Sequence, residues 1–335
     1  MQDQEEISYQ AFKKTRPRWT KTIRRNLEYK ALQGGMALGK RLSFENLQFW
    51  GRGLGRVAYH LLKKDRGIME QQLALVFPDT STIQRQEWAR ECFLHFGQML
   101  FEVLGIDQLV GEADGRFRVY GEELLQEGLD RGKGIIALGA HLGNWEMLVP
   151  YFAQTGYSAK VAVAPLYDER LNNFFVKLRE KGGIQLIQRD QPQAARAILQ
   201  CFKQNEIFFV LVDQDTDVSS MFVPFFGMLA QTPIGASSLA LKTGAFVISA
   251  MVIRQPQGQF DIRLERVGVF EKKKYKRQDV FEVTALFNRH LEQIIRRYPS
   301  QWAWFHRRWK HRPTEKDTQF LKEMNDLKEK GSKEE

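Results

Sequence analysis

The sequence lacks the features of a disulfide-bonded or membrane-spanning protein. Its two cysteines, Cys92 and Cys201, fall in apolar helical patterns, so neither a disulfide framework nor a cysteine metal site is expected. The longest uncharged stretch, 218–241, is broken by two prolines and two glycines, whereas spanning a bilayer takes about 20 unbroken apolar residues. The first twelve residues are polar and acidic, unlike a signal peptide. We therefore predict a protein of a reducing compartment that lies on a membrane surface if it meets one.

Several common catalytic motifs are also missing. The chain has no G-x-S-x-G, G-x-x-x-x-G-K-S/T, H-E-x-x-H or G-x-G-x-x-G sequence, and the glycine cluster at 51–55 has the wrong spacing. These absences argue against an elbow-type serine hydrolase, a P-loop nucleotide hydrolase, a zinc protease and a dinucleotide-dependent enzyme. We expect no metal and no bound organic cofactor.

Positive charge is concentrated in two regions of a chain whose net charge is +10. Residues 13–66 contain 15 Lys or Arg against three acidic residues, and residues 296–312 contain six Lys or Arg and no acid. Such regions attract nucleic acid, an anionic membrane surface or an acidic carrier protein. Since no recognised nucleic-acid-binding motif accompanies them, we expect no nucleic acid partner.

The N-terminal third is predicted to be helical. We interpret residues 1–30 as a charged arm and residues 31–110 as a helical extension that docks on a membrane. Within it, residues 36–62 are predicted to form an amphipathic helix that either lies in a lipid interface or packs on the rest of the protein. A second helix, 81–104, carries His95, which we interpret as a core histidine. The apolar stripe of the first helix consists of Leu47, Trp50, Leu54, Val57 and Leu61.

Residues 111–312 are predicted to form one α/β domain, followed by a charged tail, 313–335, with at most a short helix. Short β-rich runs alternate with helical ones after residue 115, which is typical of a mostly parallel central sheet flanked by helices. No linker composition separates a second domain. The predicted strands are 118–120, 134–139, 159–164, 184–187, 207–212, 245–253 and 260–267.

The segment 134–146 is the most informative part of the sequence. An apolar strand leads into His141, and Gly143 permits a turn that would bring Glu146 back towards the histidine. Ligands of open α/β sheets collect beyond the carboxyl ends of the strands. There His141 could accept the proton of an attacking alcohol, with Glu146 on its other ring nitrogen to fix the tautomer. The spacing alone is common, and a strand-end cap is the alternative for His141.

Further blocks give this segment its context. The run 139–146 resembles the H-x4-D/E block of glycerolipid-type acyltransferases, and its exact residues are similar to those of the late lipid A biosynthesis acyltransferases. The other blocks follow that family's order, although Gln72 stands where asparagine is usual. They are Q-L-A-L-V-F-P-D at 72–79, R-E-K-G at 179–182, D-Q-D and P-F-F-G between 213 and 227, and P-S-Q-W-A-W-F-H-R-R-W-K at 299–310.

The resemblance implies an enzyme at the cytoplasmic face of the bacterial inner membrane. It would move a fatty-acyl chain from acyl carrier protein, or from coenzyme A, to a hydroxyl of a lipid A precursor. The thioester carrier is then a donor substrate, and the partners are acyl carrier protein, a membrane lipid acceptor and an anionic membrane surface. Many members have a hydrophobic N-terminal anchor, but this chain is basic and amphipathic there, so we expect peripheral docking. Acylation of another glycolipid, such as a phosphatidylinositol mannoside, and a non-catalytic basic membrane-binding protein are the alternatives.

The resemblance also implies roles for residues around the predicted site. Arg179 matches a family arginine near the histidine, and we expect it to orient Glu146 or to hold a phosphate. Asn144 either caps the following helix or donates to the thioester oxyanion. Asp213 and Gln214 follow a strand and either form structural hydrogen bonds or contact the substrate.

Two more groups of residues have predicted substrate roles. The closing block combines cations with tryptophans, so its basic side chains are expected to contact phosphates, head groups or the acidic carrier. The aromatic segment that precedes Gly227 either lines an acyl channel or belongs to the core. These residues are Arg307, Arg308 and Lys310 in the first group, and Phe222, Phe225 and Phe226 in the second.

Overall fold

The computed structural model describes residues 18–106, 115–164, 168–180, 184–272 and 274–331. Its helices are α1 (Arg18–Gly39), α2 (Phe44–Leu61), α3 (Lys63–Val76), α4 (Thr82–Leu104), α5 (Glu123–Asp130), α6 (Leu148–Thr155), α7 (Glu169–Glu180), α8 (Ala194–Lys203), α9 (Gly235–Thr243), α10 (Arg277–Arg297) and α11 (Glu315–Gly331). Its strands are β1 (Phe117–Tyr120), β2 (Ile135–Gly139), β3 (Ala159–Val163), β4 (Gln185–Gln188), β5 (Ile207–Leu211), β6 (Ser220–Phe225), β7 (Met228–Pro233), β8 (Phe246–Arg254) and β9 (Phe260–Val269).

Seven of these strands form one sheet in the order β1-β9-β8-β2-β5-β3-β4. Every neighbouring pair is parallel except β8 and β9, which are antiparallel. The predicted α/β class and the seven predicted strands are confirmed. Strand β2 lies inside the sheet and is buried at all five positions, as expected of a parallel strand that is covered on both faces.

Successive residues of β2 pack alternately into two separate hydrophobic cores. Ile135 and Ala137 belong to the cluster on one face of the sheet, and Ile136 and Leu138 belong to the cluster on the other. This follows from the alternation of side chains along a strand. Helices therefore flank both faces of the sheet, which leaves its carboxyl edge as the place where polar side chains from several strands can meet.

The hairpin β6–β7 was not predicted from the sequence. It forms a separate two-stranded sheet that reverses at Phe226 and Gly227, whose φ angles are +53° and +76°. Pro224 within β6 reads as evidence against a strand, because proline cannot donate to a ladder. In a two-stranded sheet each strand has a free edge, so the missing donor is tolerated.

Helix α2 packs through its glycines and leaves its apolar stripe outside. A Cβ atom added to Gly51 or Gly55 would collide with the backbone of α4, and one added to Gly97 would collide with α2, so the two helices are in backbone contact. Leu47 is buried at 1% exposure. The other stripe residues and Phe49 are between 42% and 73% exposed: Trp50, Leu54, Val57 and Leu61. Within the described residues, Leu47 is therefore the one stripe residue that is buried, and the other four keep a large part of their surface exposed.

Three helix predictions needed correction. The single helix over 36–62 is two helices, because Ser43 caps α2 by accepting from the backbone N–H of Asn46. Residues 18–30 of the predicted charged arm belong to α1, and residues 1–17 and the predicted domain boundary at 111 lie outside the described residues. The tail forms the 17-residue helix α11, because its few apolar residues share one face and Met324 packs into the core at 2% exposure.

In the described part of the chain, no helix has the length and apolar character that crossing a membrane requires.

Candidate active site

Two polar side chains follow neighbouring parallel strands at the same edge of the sheet. Gly139, the last residue of β2, is paired with Leu211, the last residue of β5. His141 and Asp213 each come two residues after these strand ends. The carboxyl edge of the sheet therefore brings together two residues that are 72 positions apart in sequence.

Asp213 holds His141 at two points. The carboxylate Oδ1 lies 2.8 Å from Nδ1 of the imidazole, and Oδ2 accepts the backbone N–H of His141 at 2.8 Å. The indole N–H of Trp302 donates to Oδ2 at 2.7 Å. The Asp213 side chain is 1% exposed, whereas that of His141 is 21% exposed. The imidazole is thus fixed from the protein side and open on the other.

The charge state of Asp213 settles the tautomer of the ring. Burial alone would raise the pKa of Asp213, but the attraction to His141 and the hydrogen bonds from His141 and Trp302 outweigh burial and lower it. An ionised carboxylate can only accept hydrogen bonds, so Nδ1 carries the proton in the neutral ring. The Nε2 lone pair is then available as a base.

This arrangement corrects the predicted partner of His141. The carboxylate that fixes the ring is that of Asp213, and Glu146 is bound instead by Arg179, whose Nη2 and Nε donate to it at 2.6 and 3.1 Å. Glu146 lies in a short 3₁₀ turn, Trp145–Met147, after the chain has left the strand. Of the two roles expected for Arg179 on α7, orienting Glu146 is the one that these contacts support. A catalytic role for Glu146 stays a prediction.

The turn after His141 depends on Gly143. Its φ is +64°, and a Cβ atom there would overlap the carbonyl oxygen of Val252. The predicted cap role of Asn144 is wrong, since its side chain makes no capping hydrogen bond and its Nδ2 donates to Glu102 at 2.5 Å. On the other side, Ala303 donates its backbone N–H to the carbonyl of His141 at 2.9 Å. The turn is therefore held by both the N-terminal helices and the closing block.

The comparisons with known proteins show the family of this chain. Residues 20–311 match the family described as bacterial lipid A biosynthesis acyltransferase. This chain belongs to that family. It is 25% identical over 299 residues to the lipid A biosynthesis palmitoleoyltransferase of Escherichia coli (strain K12), an alignment that covers 86% of this chain and 92% of the relative. The chain is therefore an acyltransferase.

Other relatives are named for a different acyl group or a different acceptor. The acyltransferase is 24% identical over 270 residues to the lipid A biosynthesis lauroyltransferase of Escherichia coli (strain K12), with 78% of this chain and 85% of the relative covered. It is also 24% identical over 187 residues to the phosphatidylinositol mannoside acyltransferase of Mycolicibacterium smegmatis (strain ATCC 700084 / mc(2)155). That alignment covers 55% of this chain and 60% of the relative.

The D-Q-D block anchors the closing block of the acyltransferase at a second point. Asp215 binds His311 as Asp213 binds His141, with Oδ1 2.6 Å from Nδ1 and Oδ2 accepting the backbone N–H at 3.0 Å. The backbone N–H of Asp215 also donates to Nε2 of His306 at 3.1 Å. Of the two predicted roles of Asp213, its contacts with His141 and Trp302 are structural hydrogen bonds. Either role for the half-buried Gln214 stays a prediction.

Arg308 does not lie on a substrate surface, contrary to the prediction. It is 0% exposed, its Nη1 and Nη2 donate to Gln231 O at 2.5 Å and Thr232 Oγ1 at 2.6 Å, and it stacks over the ring of Phe225. Burial lowers its pKa to about 10, so the guanidinium stays charged at neutral pH. The closing block folds inwards at this position, whereas Arg307 and Lys310 are exposed, and their phosphate contacts stay a prediction.

The aromatic segment before Gly227 is part of the core. Phe225 is 0% exposed and packs on Trp302 and Trp309, and Phe226 is 8% exposed within the same cluster. Phe222 is also buried, at 8% exposure. Of the two roles predicted for this segment, these contacts support packing in the core rather than lining an acyl channel.

A row of aromatic rings that the sequence did not reveal leads away from His141. The ring of Trp145 lies 4.8 Å from the imidazole, Phe96 of α4 lies 6.2 Å from Trp145, and Phe305 lies 4.8 Å from Phe96. Phe305 is 39% exposed. The three rings come from three separate segments, so only the fold brings them into a continuous apolar path from the surface to the imidazole.

His95 holds the turn from beneath, in the core position that was predicted for it. It is 4% exposed, with Nε2 3.0 Å from the carbonyl oxygen of Gly143 and Nδ1 accepting from Arg254 Nε at 3.1 Å. These partners require the neutral ring with its proton on Nε2. Burial, together with the positive charge of Arg254, lowers the pKa of His95 from 6.5 to about 3.

This pKa shift predicts an acid-dependent loss of stability. Above pH 6.5 His95 is neutral in the folded and the unfolded protein and contributes no pH dependence. Below pH 6.5 His95 is protonated in the unfolded chain but stays neutral in the folded protein. The free energy of unfolding should then fall by about 1.4 kcal/mol per pH unit from this residue alone. Urea unfolding between pH 6 and pH 4 measures the slope. His95→Gln keeps a donor and an acceptor but cannot titrate, so equal slopes in the two proteins would contradict the shift.

Proposed function

We propose that this acyltransferase moves a fatty-acyl chain from acyl carrier protein to a hydroxyl of a lipid A precursor, with His141 as the general base. The observation that carries the proposal is the partly exposed imidazole at the carboxyl edge of the sheet, with Nδ1 bound to the buried Asp213. An alcohol is a weak nucleophile at neutral pH, and a base with these properties removes that obstacle.

The geometry supports a direct transfer without an acyl-enzyme. The acceptor hydroxyl attacks the thioester carbonyl carbon while Nε2 of His141 takes its proton. The tetrahedral intermediate then expels the thiolate, which recovers that proton from the imidazolium and leaves as the free thiol of the carrier. Asp213 stabilises the imidazolium in between, as the carboxylate of a hydrolytic triad does. The aromatic row of Trp145, Phe96 and Phe305 offers an apolar wall for the acyl chain.

The comparisons favour a lipid A precursor over a mannosylated acceptor. The lipid A relative of Escherichia coli is covered over 92% of its length, against 60% for the phosphatidylinositol mannoside acyltransferase. The exposed Arg307 and Lys310 stand where the sugar phosphates of such an acceptor, or the acidic carrier, would be attracted.

The exposed face of α2 is the proposed site of peripheral attachment to the cytoplasmic face of the inner membrane. Trp50, Leu54, Val57 and Leu61 stand out from the protein on a helix that is itself rigidly docked on α4 through glycines. Arg52 and Arg56 lie on the same helix and complement anionic head groups. An exposed apolar face together with cations on the same helix is typical of an interfacial helix.

We expect the double substitution Leu54→Asp and Val57→Asp to weaken binding to anionic vesicles by about 30-fold or more. Removing two apolar side chains from a lipid interface costs at least about 2 kcal/mol. Flotation with vesicles of phosphatidylglycerol and phosphatidylethanolamine measures the effect. Ile83→Asp changes a side chain that is 79% exposed on another helix and is the matched control. Equal binding of all three proteins would remove α2 as the attachment site.

The reaction itself is tested with purified protein. Incubation with an acyl-carrier-protein thioester and a lipid A precursor should produce the acylated lipid and the free carrier thiol, both detected by mass spectrometry, with coenzyme A thioester compared as donor. Lipids of cells that lack the gene should be missing one acyl chain on lipid A. Loss of an acyl chain from another glycolipid instead would move the acceptor to the alternative class.

A further inference from the structure

A cluster of buried polar side chains lies between the N-terminal helices and the turn that carries His141. Its centre is Glu102 of α4, which is 0% exposed. Arg254, at the end of β8, donates to both carboxylate oxygens of Glu102, one of them at 2.6 Å. Gln48 of α2 donates to one oxygen, and Asn144 donates to the other at 2.5 Å. One carboxylate therefore joins two helices, a strand and the catalytic turn.

All of these contacts have the same polarity. Each partner of Glu102 donates a hydrogen bond, so only a carboxylate, with acceptor capacity on both oxygens, satisfies them together. Arg254 also donates through Nε to His95, which in turn holds the carbonyl of Gly143. The pair of Glu102 and Arg254 thus reaches two consecutive residues of the turn, Gly143 through His95 and Asn144 directly.

Stability alone gives little reason for such a cluster. A buried ion pair is often no more stabilising than apolar residues of the same volume. What apolar residues cannot do is hold a backbone carbonyl and a side-chain amide at fixed positions. Asn144 is three residues from His141, and Asn144 also donates its backbone N–H to Val252 at 3.0 Å. The position of the imidazole relative to Asp213 depends on this turn.

We propose that Glu102 and Arg254 are positioning residues for His141, acting through Asn144 and His95. The inference rests on the proposed function, in which His141 is the base. A displacement of about 1 Å in a catalytic group is enough to lower the rate about 100-fold without changing how substrate binds. The N-terminal helices therefore take part in the geometry of the active site and do not serve as a membrane attachment alone.

The first test is Glu102→Gln in the purified full-length protein. An amide can accept through one atom only, so its NH2 group must face one of the present donors. We expect kcat to fall about 10- to 100-fold with KM changed less than about twofold, because the substrate surface is not altered. Glu206→Gln is the matched control: Glu206 is ion-paired with Lys160, 13% exposed, and stands before β5 at the opposite edge of the sheet. It should retain the wild-type kcat.

A rescue separates positioning from a general loss of stability. In the double variant Glu102→Gln with Asn144→Asp, the hydrogen bond between the two positions is restored with donor and acceptor exchanged and with the charge of the cluster conserved. We expect at least a fivefold recovery of kcat over Glu102→Gln, on the order of the coupling seen between contacting residues. No recovery, or an equal loss in Glu206→Gln, would overturn the inference.

Hydrogen exchange gives a readout that does not need activity. Glu102→Gln should speed exchange in the peptide that contains residues 140–147 while leaving a β9 peptide unchanged. Arg254→Lys, which keeps the charge but loses the planar fork, is the second variant if Glu102→Gln does not fold. If the wild-type protein transfers no acyl group, the proposed function fails, and exchange alone decides: unchanged exchange at 140–147 in the folded variant would refute positioning of the turn.

Discussion

Asp213→Asn is expected to lower kcat by about 10⁴-fold while the protein stays folded, the size seen when a hydrolytic triad loses its carboxylate in this way. The physical reason is the tautomer of His141. Two donors, the backbone N–H of His141 and the indole N–H of Trp302, meet at Oδ2 of the native carboxylate. The amide oxygen of asparagine must take that place, so its NH2 group faces Nδ1. Nδ1 then becomes an acceptor, the ring proton moves to Nε2, and the base is lost.

Asp215→Asn is the matched control for this prediction. Asp215 makes the same two contacts with His311 that Asp213 makes with His141, only two residues further along the chain. Its substitution should loosen the closing block and lower the melting temperature. We expect kcat to fall much less than in Asp213→Asn. Initial rates of acyl transfer with saturating donor, together with circular dichroism, measure both effects. Equal losses of kcat in the two variants would show that Asp213 acts only through the fold.

His141→Ala is expected to lower kcat about 10³- to 10⁴-fold, because in the proposed reaction His141 takes the proton of the acceptor hydroxyl. The side chain of His141 is 21% exposed. The backbone N–H and carbonyl of residue 141 keep their hydrogen bonds in the alanine variant, so the substitution should leave the fold intact. His311→Ala removes an equally paired histidine and should keep most of the activity. Added imidazole should restore part of the rate in His141→Ala alone. Unchanged transfer in that variant would refute the proposed base.

The secondary structure of the α/β domain could be read from the sequence because each strand is a short β-rich run between helical patterns. All seven sheet strands were predicted within two residues at either end, and His141 was correctly placed beyond the end of β2. Prediction from local sequence patterns failed for two elements whose composition is unusual for their secondary structure. Pro224 hid the strand β6, and the charged composition of the tail hid α11, whose apolar residues are few but lie on one face.

The partners of the site residues could not be read from the sequence in the same way. Glu146 is near His141 along the chain, and Asp213 is 72 residues away, yet Asp213 is the carboxylate that binds the imidazole. Arg308 and Arg307 are adjacent and of one type, yet one is buried and the other exposed. Burial and pairing of this kind depend on which strands and loops are neighbours in space.

By itself the sequence determined the α/β class, the strand that carries His141 and the family, because these depend on local periodicity and on long blocks of uncommon residues. Only the tertiary structure decided which carboxylate fixes the imidazole, which face of α2 is free and which arginines reach solvent. The physical reason is the same in each case. A hydrogen bond extends about 3 Å, so its partner is chosen by the packing of strands and helices that are distant in sequence.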